Sequence, residues 1–176
     1  MNEKKLVKAL LSWVKTLMLA VLVGVIVNTT LLASAHVVSG SMENTIMTDS
    51  RVMGLRVAYL FNEPGRFDVI LFNSPNNDSP VPYVKRIIGI PSEKVEIING
   101  KIFIDDSNIP LDDYFIKEVA QGNAGPFFVP EGCYFVLGDN RDGSSDSRHW
   151  ENRYVPREYI IGRLYLIYFP SPQMLD

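Results

Sequence analysis

At 176 residues the chain has room for one compact domain and a short appendage, and 47% apolar residues with 11 prolines and 12 glycines describe a folded, turn-rich protein. The net charge of −3 is unevenly spread: residues 1–35 carry Lys4, Lys5, Lys8 and Lys15 against Glu3 alone, a local +3 that leaves −6 on the remainder. A mildly acidic body argues against nucleic acid as a partner, the single cysteine, Cys133, excludes an internal disulfide, and with only His36 and His149 neither a metal centre nor any other cofactor is expected.

The first element is apolar. From Leu17 to Val27 every residue is apolar or glycine, and after Asn28-Thr29-Thr30 the run resumes with Leu31, Leu32 and Ala33. That length approaches the roughly 17–25 residues needed to cross a bilayer. Lysines precede the run and none follows it closely, so the positive-inside rule places the N-terminus in the cytosol and the body outside the cell membrane. The expected organisation is a basic cytosolic tail over 1–15, a single transmembrane anchor over 16–34 in contact with bilayer lipid, and an extracytoplasmic body over 35–176. A second reading stays open, because the basic start, the apolar core and Ala33-Ser34-Ala35 also fit a cleavable secretory signal.

The body reads as strands and turns. Arg51–Tyr59 and Phe67–Phe72 are short apolar-rich segments separated by Asn62-Glu63-Pro64-Gly65. Asn73–Pro82, with three prolines and three asparagines, is a surface loop. Tyr83–Ile90 is a buried strand closed by Gly89 and Pro91, and Lys94–Ile98 with Lys101–Ile104 flank Asn99-Gly100, a strong hairpin signal. Gly132–Leu137 and Ile160–Tyr168 complete the set. No segment after the anchor keeps a helical period, so the fold class is mainly β, an extracytoplasmic domain closing on itself in a barrel-like way.

Three segments carry candidate chemistry, and each has a plain alternative. Ser39-Gly40-Ser41-Met42 is by itself a flexible turn. Lys85, within Tyr83-Val84-Lys85-Arg86-Ile87-Ile88, is by itself an edge-strand charge that snorkels to water. Gly138–Arg148 is rich in Asp, Asn, Gly and Ser, as a solvated loop is, and it lacks the spacing and terminal Glu of a calcium loop.

In combination and in order, these segments resemble the bacterial type I signal peptidases, in the compact Gram-positive-like form. The likeness runs from the basic tail and apolar segment through S-G-S-M with Thr45, Ile46 and Asp49. It continues through Asp68-Val69 and Y-V-K-R-I-I-G-I-P to G-D-N-R-D-x-S-x-D-S-R, and so covers nearly the whole chain. The resemblance implies a membrane-bound serine endopeptidase that removes signal peptides from secreted preproteins after small residues, A-x-A, with no cofactor, acting as a monomer. It implies Ser41 as nucleophile and Lys85 as general base. It further implies Ser39 as a hydroxyl donor to the oxyanion, Ser144 as the group that positions the lysine amine, and Asp146 with Arg148 as a supporting ion pair. Asp139 and Arg141 are motif residues with structural roles. Val37, Val38 and Val84 are the expected lining of shallow apolar substrate subsites, and a small β excursion is expected over about 92–130.

The residue types suit that chemistry. A serine hydroxyl needs a neighbouring base, and lysine can be that base only where burial destabilises its ammonium. Beyond the anchor region the other lysines are Lys94 and Lys101, on a polar hairpin with Glu93, Glu96 and Asp105 close by, and Lys117 beside Glu118. Only Lys85 lies in an apolar strand. The six-residue step from Ala35 to Ser41 keeps the nucleophile near the bilayer, where a substrate's own apolar segment ends. Asn44 stands where proline is common, Thr48 and Ser92 where glycine is, and Phe67 and Gly143 also depart from the pattern. A self-cleaving repressor would need a DNA-binding headpiece, and a penicillin-interacting enzyme would need S-x-x-K at the nucleophile, where Asn44 stands instead. A tethered β domain that only binds partners would have no use for Ser41, Lys85 and Ser144 together.

Overall fold

The computed structural model describes residues 3–76, 79–116 and 121–175, with the side chains of 3–6 and 9 outside the description. Lys4, Lys5 and Lys117, weighed above for their charge, therefore lie outside it as side chains or altogether.

The N-terminal helix α1 spans Glu3–Thr30. Its stretch Leu10–Thr30, 21 residues of mean hydropathy 2.3, is long and apolar enough to cross a membrane, and none of it is buried against the protein. Helix and expected anchor overlap but do not coincide. Leu32 and Ala33, counted above with the anchor over 16–34, belong instead to strand β1, Leu32–His36. The reason is visible in the pairing: Ala33 lies opposite Gly54 and Ala35 opposite Val52 on β2, Arg51–Leu55. Ala33 is fully buried while Ser34 is exposed, the alternation of a half-buried strand. Leu31 caps the transition, its carbonyl accepting from Arg56 N–H at 2.8 Å while Arg56 Nε donates to Leu32 O at 2.9 Å.

After β2 a 3₁₀ turn over Arg56–Tyr59 replaces the second half of the expected strand. Then follow β3 (Val69–Phe72), β4 (Tyr83–Gly89), β5 (Lys94–Ile98), β6 (Lys101–Ile104) and β7 (Ala124–Phe128). The chain closes with β8 (Cys133–Leu137), β9 (Tyr154–Pro156), β10 (Ile160–Phe169) and β11 (Gln173–Met174). The strands form a curled antiparallel sheet in the order β1-β2-β10-β3-β4-β8-β9, with β11 on β10, and a separate sheet β6-β5-β7. The small sheet falls inside the expected excursion. Four strands, β1, β7, β9 and β11, were not foreseen, being short or hidden within segments of other composition.

Three apolar clusters fill the interior. One, with Ala33, Val37, Met42, Ile46, Leu71 and Leu164, lies under the turn that carries Ser41. A second gathers Phe72, Ile87, Tyr134 and Trp150 along β3, β4 and β8. The third, with Ile88, Val95, Ile97, Phe127 and Phe135, joins the small sheet to the large one. β4 touches the second cluster through Ile87 and the third through Ile88, so both faces of its C-terminal half are buried.

Candidate active site

Ser41 sits in a single 3₁₀ turn, Gly40–Met42, just after β1. The turn is closed by Glu43 N–H to Gly40 O at 3.1 Å and Ile46 N–H to Met42 O at 2.7 Å. Met42 and Ile46, both fully buried, root it in the core. The next residue but one, Asn44, has φ 80°, a conformation closed to the proline common at this position, whose ring holds φ near −65°. Likewise Ser92, where glycine is usual, has φ 70°.

Lys85 projects from the middle of β4, opposite Ile70 of β3. It is 5% exposed and Ser41 is 7% exposed, and Lys85 Nζ is 2.5 Å from Ser41 Oγ. Two ordinary residues forty-four apart are thus one hydrogen-bonded pair. Desolvation pulls the Lys85 amine down to about 8 from 10.5. The carboxylates of Asp146 and Asp139 oppose that shift, and the Arg148 guanidinium assists it. An amine with that pKa is largely neutral in mildly alkaline solution and able to take a proton from a hydroxyl.

The Gly138–Arg148 segment backs the pair. Gly138 comes so close that a Cβ there would lie 2.3 Å from Ser41 O and 2.3 Å from Ser144 Oγ. Asn140 N–H donates to Ser41 O at 3.2 Å and its Nδ2 to Gly40 O at 3.0 Å. Asp146, fully buried, accepts from Arg148 Nε at 2.8 Å and from Gly138 N–H at 3.1 Å, so the supporting ion pair is formed. Ser39 Oγ lies 3.2 Å from Ser41 Oγ. Ser144 differs. The expected hydrogen bond to Lys85 is not made: Ser144 Oγ is buried over Gly138 with no partner among the described residues, and the lysine's bond goes to Ser41.

Arg86 stood in the motif without a role of its own. Arg86, next to Lys85 but on the opposite face of β4, binds Asp139 through Nε at 2.9 Å and Nη2 at 2.7 Å. Asp139 in turn accepts from Thr45 Oγ1 at 2.6 Å. This bridge ties the strand of the lysine to the end of the serine's turn. Thr45, Arg86 and Asp139 each lie in a motif, but nothing in the sequence links the three motifs through these side chains.

A cleft of about 450 Å³ opens onto Ser41 and Lys85, lined among others by Val37, Val38, Val84, Tyr83 and Trp150. Val37 is 6% exposed and shared with the core, whereas Val38 is 67% exposed. A larger groove between β7 and residues 148–159 contains neither Ser41 nor Lys85. No group of His, Cys, Asp and Glu among the described residues has the makings of a metal site.

Residues 10–169 match the family model described as signal peptidase, peptidase S26. The chain belongs to this signal peptidase family. Signal peptidase I of Leptolyngbya laminosa is 32% identical over 175 residues, covering 96% of this chain and 84% of its own length. The probable signal peptidase I-2 of Synechocystis sp. is 30% identical over 164 residues, 91% of this chain and 73% of that protein. Thylakoidal processing peptidase 1 of Arabidopsis thaliana is 33% identical, and the match covers 89% of this chain and 48% of that one. Among solved structures, a signal peptidase I from Enterococcus faecalis is 30% identical, with a TM-score of 0.47 over 58% of this chain and 97% of that one. Membership in the family makes this protein a serine peptidase of the signal peptidase I kind, with an N-terminal apolar helix consistent with membrane anchoring.

Proposed function

We propose that Ser41 and Lys85 form the catalytic dyad and that the protein cuts preproteins after small residues at the outer surface of the cell membrane. The 2.5 Å contact between two buried side chains, one of them an amine pulled down to about 8, carries the proposal. The neutral Lys85 amine takes the Ser41 proton as Oγ bonds to the scissile carbonyl carbon. The tetrahedral oxyanion is met by Ser41 N–H and Ser39 Oγ. Collapse breaks the C–N bond, and the departing amine of the mature chain takes the proton held by Lys85. Water then attacks the acyl-serine, giving its proton to Lys85, and the signal peptide leaves as a carboxylate while Ser41 regains its hydrogen. Ser144 Oγ, buried and without a partner among the described residues, is available to orient the lysine amine as this bond to Ser41 breaks.

Val37, Val38 and Val84 supply the apolar walls against which small side chains seat; a site built by exclusion favours Ala-x-Ala sterically. Both dyad members come from one chain, which supports a monomeric working unit. The retained helix is supported by β1: removing residues through Ala35 would strip four of the five β1 residues paired with β2 and empty the place of fully buried Ala33. The test is cleavage of a preprotein bearing an A-x-A site. Ser41→Ala and Lys85→Ala are each expected to abolish cleavage with the fold intact, and normal turnover by Lys85→Ala would sink the dyad.

A further inference from the structure

The connection between β6 and β7 does more than span the small sheet. Leu111 N–H donates to Ile102 O at 2.7 Å, fixing the start of the segment on β6, and Ile116 N–H donates to Asp113 O at 2.8 Å, turning it back. Between these points the chain lies against two arginines of the catalytic region. The Phe115 ring covers Arg86, with Cζ 4.0 Å from the ring centroid, and meets Phe67 edge-on at 5.2 Å. Asp113 Oδ2 accepts from Arg141 Nη1 at 2.9 Å.

Both arginines lead to the nucleophile turn. Arg86 and Asp139, with side chains 3% and 1% exposed, form the bridge that ends on Thr45 Oγ1. Arg141 Nε donates to Gly138 O at 3.2 Å, and Gly138 packs on Ser41 O. An aromatic face over a guanidinium sets its plane and keeps water from its ion pair. Arg141 keeps one buried nitrogen, Nη2, without a hydrogen-bond partner among the described residues, so the single carboxylate that Asp113 offers has much to do with where this side chain points. Among the described residues, no hydrogen bond or ring contact joins the segment to Ser41 or Lys85 themselves.

We propose that Leu111–Ile116 is a positioning strap, in which Phe115 and Asp113 hold Arg86 and Arg141 and thereby hold the Ser41 turn at bonding distance from Lys85. This rests on the dyad assignment made above. The small sheet is then part of the catalytic apparatus through its connecting loop, although it supplies no reacting group. The consequence is kinetic. A strap that sets the attack distance governs the chemical step and leaves the cleft of Val38 and Val84 unaltered, so its loss appears in kcat and not in KM.

The test uses the full chain in detergent micelles with a preprotein bearing an A-x-A site, and thermal unfolding is followed in parallel. Phe115→Ala is expected to lower kcat by about tenfold or more, with KM within about twofold and the protein folded at the assay temperature, since sub-ångström displacements of reacting groups have effects of that size. Phe115→Tyr, which keeps the ring over Arg86, restores the rate. Ile109→Ala, an exposed side chain (77%) on the same connection but outside the strap, has little effect. Should Phe115→Ala fail to fold, Asp113→Asn is read instead, again with lowered kcat and unchanged KM. Unchanged kcat in both folded variants, or a rise in KM alone, overturns the strap. Ser41→Ala and Lys85→Ala run beside them: if these retain activity the dyad itself is wrong and the strap falls with it, whereas inactive dyad variants beside fully active strap variants overturn the strap alone.

Discussion

Lys85 is held where its charge is unwelcome. Its amine is down to about 8, against 10.5 for an ordinary lysine, through desolvation that two nearby carboxylates only partly offset. Activity that needs the neutral amine therefore rises with pH and levels off above about 8, falling about tenfold per unit below it; a flat kcat profile through mildly acidic pH would exclude a lysine base. The same shift affects stability. The unfolded chain binds more protons than the folded one between about pH 8 and 10.5, so the cost of the buried ammonium is full below about 8 and disappears as pH rises through that window. Lys85→Met is accordingly expected to stabilise the inactive protein at neutral pH by up to about 3 kcal/mol, an advantage that shrinks toward pH 10.5 in thermal unfolding curves. Ser41 and Lys85 were legible in the sequence through motif order. Their 2.5 Å contact was not, because the side-chain distance depends on how β4 and the turn after β1 are brought together.

At the scale of elements, strand composition was a good guide wherever a strand is buried or ends in a hairpin. β5 and β6 fall on the expected residues because Asn99, at φ 50°, and Gly100, at φ 76°, meet the demands of a tight turn. β1 was obscured. Leu32 and Ala33 continue an apolar run, and only the partner strand shows that they leave the helix to pair with Gly54 and Leu55. Two expectations belong here. Gly138→Ala places a methyl 2.3 Å from Ser41 O, so it is expected to destabilise the fold by about 1–3 kcal/mol and to lower kcat severely, read by denaturant unfolding and by preprotein cleavage. The mature protein should also show the full-length mass, since β1 is an integral strand; a mature N-terminus at His36 would show that Ala33-Ser34-Ala35 is a processing site instead.

For the whole molecule, the apolar helix and the peptidase body are joined with almost no slack: one residue, Leu31, separates α1 from β1. The proposed topology predicts that protease added to right-side-out membrane vesicles digests the body, whereas inverted vesicles protect it; the reverse pattern would overturn the orientation read from the lysines. By itself the sequence determined the class of the protein, mainly β behind an apolar helix, and singled out Ser41 and Lys85 as the proposed dyad, because motif order, charge asymmetry and alternation are local properties of a chain. Tertiary structure alone decided the rest. It buried Lys85 beside Ser41, placed Arg86 and Asp139 as a bridge behind the serine, left Ser144 Oγ without a partner among the described residues, and brought Phe115 against Arg86 and Asp113 against Arg141 from a loop with no motif. Burial and long-range contact are set by packing among segments distant in sequence, and no local pattern encodes them.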